Sequence, residues 1–154
     1  MERLDRFAPP GMGTSGLRRW TLGAILISAF FSMSFLVAYV SELADLTKAM
    51  EQPVFPGLTM KPFKDLILVP MLLFRVAPLV PLLHIPGNYL YFIEESKSIY
   101  LMKRINNPLE MHLRCLALPV AGAVLVIGAG LALYFVYLLV YNLCTPEILL
   151  PASL

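Results

Sequence analysis

Hydrophobic residues in this chain are concentrated in two long stretches without charge. No Asp, Glu, Lys or Arg occurs from Trp20 through Ser41, and none occurs from Cys115 through Pro146. Each stretch exceeds the ~20 residues that a helix, rising about 1.5 Å per residue, needs to cross a hydrocarbon layer of about 30 Å. The pattern therefore predicts two transmembrane helices. The first stretch is longer than the apolar region of a cleavable signal peptide, about 7–15 residues, so we interpret it as a retained anchor.

A third apolar stretch, from residue 66 to residue 93, is interrupted by prolines. It holds Arg75 and His84, and its prolines are Pro70, Pro78, Pro81 and Pro86. One interpretation is a re-entrant segment, whose irregular backbone is tolerated at membrane depth where protein surrounds it. The other is a proline-kinked crossing from Arg75 to Ile93, preceded by an interfacial segment from Leu66 to about Leu73.

The distribution of basic residues favours the crossing. With a cytosolic N-terminus and three crossings, eight basic residues face the cytosol and three, Lys48, Lys61 and Lys64, lie outside, Arg75 not counted. Without the middle crossing, four face the cytosol and seven lie outside. Membrane proteins carry their excess of Lys and Arg on the cytosolic side, which matches the first count. We therefore predict an all-α membrane protein with three transmembrane helices, its N-terminus cytosolic and its C-terminus outside.

These expectations divide the chain into seven segments. They are a flexible cytosolic leader (1–16), a first transmembrane helix with its extension (17–46), an external loop (47–65), the Pro-rich second membrane segment (66–93), a basic cytosolic loop (94–107), a third transmembrane helix (108–145) and an external tail (146–154). The third helix has a clear start signal, because Asn107 can cap it, Pro108 suits its first position and Glu110 can reach back to the cap. Thr145-Pro146 ends it.

Two periodic patterns lie on the predicted helices. Ala24, Ser28 and Ser32 recur at every fourth position, a spacing that lets another helix approach closely in lipid; alternatively, small residues are simply common in membrane helices. Tyr134, Tyr137 and Tyr141 share one face near the outer end of the third helix. We expect these tyrosines to form an interfacial aromatic belt.

Composition and motifs exclude most other classes of protein. Hydrophobic residues make up 58% of the chain and charged residues 14%, whereas soluble domains have about 45–50% and about 25%. There is no GxxxxGK[ST] loop and no GxSxG motif, and the cysteines and histidines lack metal-ligand spacings such as CxxC or HExxH. The net charge of +2 is small, and the basic residues are scattered. We predict no catalytic residues, no cofactor, no metal and no nucleic-acid partner.

The candidate functional positions are two intramembrane polar residues and one loop segment. Arg75 either snorkels outward as an anchor or contacts a polar partner or substrate. His84 lies deeper and is the better candidate for a polar site, although a hydrogen bond to a neighbouring helix explains it equally well. The segment Ile99, Tyr100, Leu101 and Met102 is apolar with basic residues at both ends, which suits a helix on the inner leaflet or docking to a soluble partner.

Several fragments of the last 60 residues carry a family resemblance. SKSIYLMKR, the NPLE helix start, LRCLALP at the opening of the last membrane helix and CTPE after it resemble small membrane proteins of clostridial-type bacteria associated with ABC exporter operons. The resemblance implies a Gram-positive plasma membrane and a permease-like or accessory subunit beside a separate ATPase. The chain departs from that pattern in INN before the cap and in its Pro-rich second span.

We therefore expect a non-catalytic subunit of an ABC-type transporter, embedded in the lipid bilayer. Three helices are too few to enclose a substrate path, so other membrane subunits are expected as partners, together with a cytosolic ATPase docked on residues 99–102. The alternative is a structural subunit of a large membrane complex, such as a respiratory or photosynthetic assembly. An enzyme is the least supported hypothesis.

Overall fold

The chain, described here from a computed structural model, is built from α-helices. The structure describes residues 14–50, 59–94, 108–146 and 149. These residues contain no β-strand and form the helices α1 (Ser15–Ser32), α2 (Ser34–Met50), α3 (Phe63–Leu68), α4 (Leu72–Val76), α5 (Leu79–Leu82), α6 (His84–Glu94) and α7 (Pro108–Cys144). The all-α class predicted from the sequence is confirmed.

Two helical segments are long and apolar enough to cross a membrane. They are Ser15–Ala49 and His112–Cys144, and only 22% of the most apolar window of each is buried. The core helix of a soluble protein would be mostly buried, whereas these helices expose many large apolar side chains, among them Phe30, Val37 and Leu143. Exposed apolar surface of this extent is what a helix in contact with lipid presents.

The first apolar stretch is divided near its middle, a feature that the hydropathy pattern did not predict. α1 ends at Ser32 and α2 follows after Met33. Ser32 Oγ donates to the Ala29 carbonyl over 2.8 Å, and the Met33 amide donates to the carbonyls of both Ala29 and Phe30. Serine that bonds the preceding turn of its own helix competes with the regular ladder, which accounts for the break.

The first stretch of helix is longer than predicted, and the loop after it is shorter. α1 begins at Ser15 where Leu17 was expected, and α2 continues to Met50 past the expected end at 46. The added turn, from Thr47 to Met50, contains Lys, Ala and Met, which favour helix. α3 begins at Phe63, inside the predicted loop 47–65, directly after Pro62, whose φ of −60° suits a helix entry.

The Pro-rich segment consists of the four short helices α3 to α6. Pro70 lies in the turn between α3 and α4, and Pro78 lies in the turn between α4 and α5. Because proline has no N–H to donate, it ends the helical ladder at these positions. Pro86 is tolerated in the first turn of α6, where an N–H has no helical acceptor.

α7 is a single helix of 37 residues. It begins at Pro108, as the start signal predicted, and ends at Cys144, one residue before the predicted end. Pro119 lies inside it and is fully buried. The proposed cap, Asn107, lies outside the described residues.

The chain forms two compact units. Unit 1 comprises Met1–Leu26 and Val76–Gly128, and unit 2 comprises Ile27–Arg75 and Ala129–Leu154. Buried hydrophobic residues of unit 2 are large and many are aromatic; they include Phe35, Tyr39, Met60, Phe63, Phe74, Tyr137 and Tyr141. Those of unit 1 are smaller: Ala77, Cys115, Ala123 and Val126.

Candidate functional site

The C-terminal part of α7 contributes to a group of six aromatic rings in unit 2, which we call the aromatic cluster. Its members are Phe35, Tyr39, Phe63, Tyr134, Tyr137 and Tyr141. Ring centroids of contacting pairs lie 4.7–6.3 Å apart. Tilted and edge-to-face pairs at such distances contribute about 0.5–1.5 kcal/mol each beyond their buried area. The aromatic cluster therefore joins α2, α3 and α7.

Hydrogen bonds engage the hydroxyl groups of Tyr39, Tyr137 and Tyr141 in the aromatic cluster. Tyr137 OH lies 2.9 Å from Ser32 Oγ, and because Ser32 donates to its own helix, Tyr137 is the donor of this pair. Tyr141 OH donates to the Lys61 carbonyl over 2.9 Å. Tyr39 OH lies 3.2 Å from Thr145 Oγ1. No buried side-chain oxygen or nitrogen in the described part of the chain lacks a partner.

The predicted interfacial belt is therefore wrong for two of its three tyrosines. Tyr137 and Tyr141 are buried, at 5% and 1% exposure, while Tyr134 is 36% exposed. A tyrosine suits a buried site as well as a membrane interface when its hydroxyl finds a partner, and Ser32 and Lys61 supply partners here. Of the small-residue stripe, Ser32 makes this contact. Ser28 is also buried and Ala24 is half-buried.

Arg75 lies on the surface of unit 2, in the last turn of α4. Two contacts fix its position along α7. Lys61 accepts a hydrogen bond from Tyr141, and the preceding residue, Phe74, lies against Gly130, where an added Cβ would be 3.1 Å from the ring. Gly130 and Tyr141 are eleven positions apart in α7, so Arg75 lies roughly 16 Å along the helix from the level of Lys61.

That position puts a cation at the middle of an apolar surface. Gly130 is near the centre of the uncharged stretch from Cys115 through Pro146. Val69 and Leu72, six and three residues before Arg75, are 57% and 49% exposed. No ion pair or hydrogen bond holds the Arg75 side chain within residues 14–50, 59–94 and 108–146.

His84 is half-buried in unit 1 at the start of α6. Its Nδ1 lies 3.3 Å from the Val80 carbonyl, and because a carbonyl only accepts, Nδ1 carries the proton. The imidazole is thus bonded within the Pro-rich segment, to α5, and not to α1 or α7. The candidate docking residues Ile99, Tyr100, Leu101 and Met102 lie outside the described residues.

A buried amide in unit 1 was not singled out from the sequence. Asn88, on α6, is 6% exposed, and its Nδ2 donates to the Cys115 carbonyl of α7 over 3.0 Å. One residue later, Tyr89 OH lies 2.8 Å from His112 Nδ1. The Asn88 side chain gives the Cys115 carbonyl a hydrogen-bond donor, in the turn of α7 that precedes the buried Pro119. This hydrogen bond connects α6 to α7.

The polar end of unit 2 carries one ion pair. Lys61 Nζ lies 2.8 Å from Glu42 Oε2. The hydrogen bond with Glu42, followed by the attraction of its charge, raises the pKa of Lys61 above the ordinary 10.5. The Lys61 side chain is 62% exposed, so water and salt screen its attraction to Glu42. The ion pair therefore adds little stability, and it marks the solvated end of unit 2.

Unit 1 has a groove of about 270 Å³ between the first turns of α1 and the middle of α7. Its lining is apolar apart from Arg18 and Thr21; the apolar residues are Leu17, Leu22, Ile25, Leu118, Ala121, Gly122 and Leu125. The sequence offered no signal for this groove, because it depends on which faces of two helices distant in sequence lie opposite each other.

No group of three or more His, Cys, Asp and Glu side chains that could hold a metal ion occurs in the part of the chain that the structure describes. Both cysteines are unpaired; Cys115 is buried and Cys144 is exposed. No protein-family model, curated protein or solved structure matches this chain.

Proposed function

We propose that this chain is a non-catalytic integral membrane subunit that assembles with a larger membrane protein inside the bilayer. The observation that carries the proposal is Arg75, an exposed cation at the middle of an apolar surface. A charged side chain at the bilayer centre costs ~2.5–3.5 kcal/mol on insertion scales and more on an isolated helix. An acidic residue on a partner's membrane helix offsets that cost with charge-assisted hydrogen bonds.

The proposal includes a third crossing by residues 63–94. In unit 2, Phe63 contacts Tyr141 and Phe74 contacts Gly130. In unit 1, Pro81 lies against Gly122, and Asn88 bonds Cys115. Within unit 2 the stretch from Phe63 to Phe74 runs antiparallel to α7, and within unit 1 the stretch from Pro81 to Asn88 does the same. The eight-to-three distribution of basic residues, which requires a middle crossing, is the further support for this part of the proposal.

The proposed orientation has the N-terminus and residues 94–107 in the cytosol and the C-terminus outside, in a bacterial plasma membrane. The eight-to-three distribution of basic residues supports it. Cysteines replacing Ser98 and Ser153 one at a time, in a background that lacks both native cysteines (Cys115→Ala, Cys144→Ser), test it with an impermeant maleimide on intact cells. Labelling at position 153 alone is expected, and labelling at position 98 alone would reverse the orientation.

The proposed partner is the permease of an ABC-type transporter, and the chain is its accessory or permease-like component. The family resemblance of the last 60 residues supports this choice. In the same assembly, Ile99 to Met102 dock a cytosolic ATPase, because the segment is apolar between basic residues and the sequence has no phosphate-binding loop of its own.

Affinity purification in mild detergent tests the membrane contact. Arg75→Leu is expected to lose the membrane partner, and Arg75→Lys is expected to keep part of it, because the charge remains but the guanidinium fork is gone. Arg19→Leu removes a cation from the end of α1 and serves as the matched control. Equal partner recovery by Arg75→Leu and the wild-type chain would refute the proposed contact.

The transporter assignment and the docking of an ATPase on residues 99–102 need a separate test. It asks which partners are recovered, and whether their recovery depends on this loop segment. Recovery of an ATPase with its permease supports the transporter assignment, whereas recovery of redox subunits supports the alternative, a structural subunit of a respiratory or photosynthetic complex. Replacing Tyr100 and Leu101 with Ala is expected to remove the ATPase and leave membrane insertion intact. If the segment instead lies on lipid, only replacement of Lys97, Lys103 and Arg104 with Gln will loosen it.

A further inference from the structure

The groove of unit 1 has one charged group, and it lies at one end. Arg18 belongs to the second turn of α1, just before the uncharged stretch begins at Trp20. Thr21 Oγ1 donates to the Leu17 carbonyl over 2.8 Å, so that its proton is already used. The remaining lining residues are apolar. A ligand of this groove therefore meets a guanidinium at one end and hydrocarbon along the rest.

Nothing on α1 neutralises Arg18. The sequence has no Asp or Glu between Asp5 and Glu42, so that no carboxylate stands three or four positions away on the same helix. No ion pair involves Arg18 among the residues that the structure describes. The guanidinium is therefore available to an external anion, and phosphate is one that its planar fork matches well.

The floor of the groove is closely packed. An added Cβ at Gly122 would lie 3.0 Å from Pro81 Cβ and 3.2 Å from Thr21 Oγ1, which means that α1, α5 and α7 approach closely at this point. The groove therefore exists before a ligand arrives. From Arg18 to Ile25 it extends over seven residues, roughly 10 Å along α1, into the uncharged stretch.

We propose that the groove binds an anionic phospholipid, with the phosphate on the Arg18 guanidinium and one acyl chain along the apolar lining between α1 and α7. The charge and the direction of the groove select this ligand. The cation stands at the boundary of the membrane span, where lipid phosphates are, and the apolar part extends toward the membrane interior, where acyl chains are. This inference does not depend on the proposed assembly with a permease.

A tryptophan reporter in the groove tests the proposal on the purified protein. Trp20 is the single tryptophan of the chain, so Leu22→Trp in a Trp20→Phe background places the only indole on the groove lining. The protein is reconstituted in phosphatidylcholine nanodiscs in which one tenth of the lipid carries brominated chains, as phosphatidylglycerol or as phosphatidylcholine. Brominated phosphatidylglycerol is expected to quench the reporter several-fold more strongly.

Matched variants separate the bound lipid from general attraction of anionic lipid to a basic surface. Arg18→Gln is expected to lower the preference for phosphatidylglycerol about fivefold, and Arg19→Gln, one residue away and not in the lining, less than twofold. Ala121→Phe fills the groove and should remove the preference, whereas Val124→Phe, on an exposed position outside the lining, should keep it.

Three outcomes would overturn the proposal. The first is equal quenching of the Leu22→Trp reporter by the two brominated lipids when the groove carries no further substitution. The second is an equal loss of preference with Arg18→Gln and Arg19→Gln, which would mean diffuse surface attraction. The third is displacement of the lipid by millimolar glycerol phosphate, which would mean an anion site that does not need the acyl chain.

Discussion

Two glycines of α7, separated by one residue, should respond in opposite ways to the same substitution. At Gly130 an added Cβ would lie 3.1 Å from Phe74 Cδ1 and 3.2 Å from both Cβ and Cγ of Phe74. At Gly128 an added Cβ would meet nothing within 4 Å. Gly130→Ala and Gly128→Ala therefore form a matched pair in which only the first forces Phe74 to move.

The expected difference in unfolding free energy between the two variants has two contributions, helix propensity and packing. Both alanines gain helix propensity in the interior of α7, at most about 1 kcal/mol each, and this gain cancels when the two variants are compared. The clash at Gly130 remains, and overpacking of a well-packed site costs about 1–3 kcal/mol. The Phe74 ring cannot relieve it by rotating alone, because Cβ of Phe74 is held by the backbone of α4. Gly130→Ala should therefore be about 1–3 kcal/mol less stable than Gly128→Ala.

Unfolding of the purified variants in mixed micelles, followed by helical circular dichroism against the fraction of denaturing detergent, measures the difference. Repeating the Gly130→Ala change in a Phe74→Gly background is the control, since Cβ, Cγ and Cδ1 of Phe74 are then all absent and the penalty should disappear. Equal stability of Gly128→Ala and Gly130→Ala would refute the packing of Phe74 on α7. It would also remove the basis for placing Arg75 at the middle of the span.

The other predictions concern single polar contacts. A double-mutant cycle of Ser32→Ala and Tyr137→Phe should give a coupling energy of about 0.6 kcal/mol in unfolding experiments, as hydrogen bonds between membrane helices do on average; no coupling would mean that the hydroxyls do not meet. Asn88→Ala should lower the unfolding free energy by about 1 kcal/mol or more, because the carbonyl that it serves loses its donor, and an unchanged unfolding curve would contradict this. The pKa of Lys61 is raised by its hydrogen bond to a carboxylate, so its stabilising contribution is complete below the ordinary pKa of 10.5 and is lost as pH rises through the higher folded value. Unfolding measured at increasing alkaline pH should thus lose a component that Lys61→Gln lacks, and 1 M salt should reduce the same component.

Charge patterning predicted the long helices well. The energy of placing a charge in hydrocarbon is large compared with any local conformational preference, so the uncharged stretches around Val37 and Val126 had few alternatives to helix. The start of α7 at Pro108 was predictable for a different reason. Capping residues and a first-position proline act within one turn, and such local chemistry does not depend on what lies opposite.

The sequence could not predict which groups meet across helices. The Tyr137 hydroxyl can be satisfied either at a membrane interface or by a hydrogen bond to Ser32. Which of the two occurs depends on which helix lies opposite Tyr137. The serine spacing carried a signal, since Ser28 and Ser32 mark the buried face, but spacing does not identify the partner helix. The contact of Asn88 with the Cys115 carbonyl was missed for the same reason.

The structure also reverses the relative weight of the two intramembrane polar candidates. His84 was the stronger candidate by depth, yet a neutral imidazole needs one acceptor for its proton, and the Val80 carbonyl supplies it. Arg75 has five N–H donors and no partner in the described part of the chain, and it cannot lose its charge. The aliphatic part of the Arg75 side chain is too short to bring the guanidinium to the level of Lys61, which is roughly 16 Å away along α7. Whatever covers this surface should therefore bring a carboxylate into an apolar helix at the depth of Gly130, and Asp or Glu near the middle of a transmembrane helix is the feature to look for in the sequence of a partner.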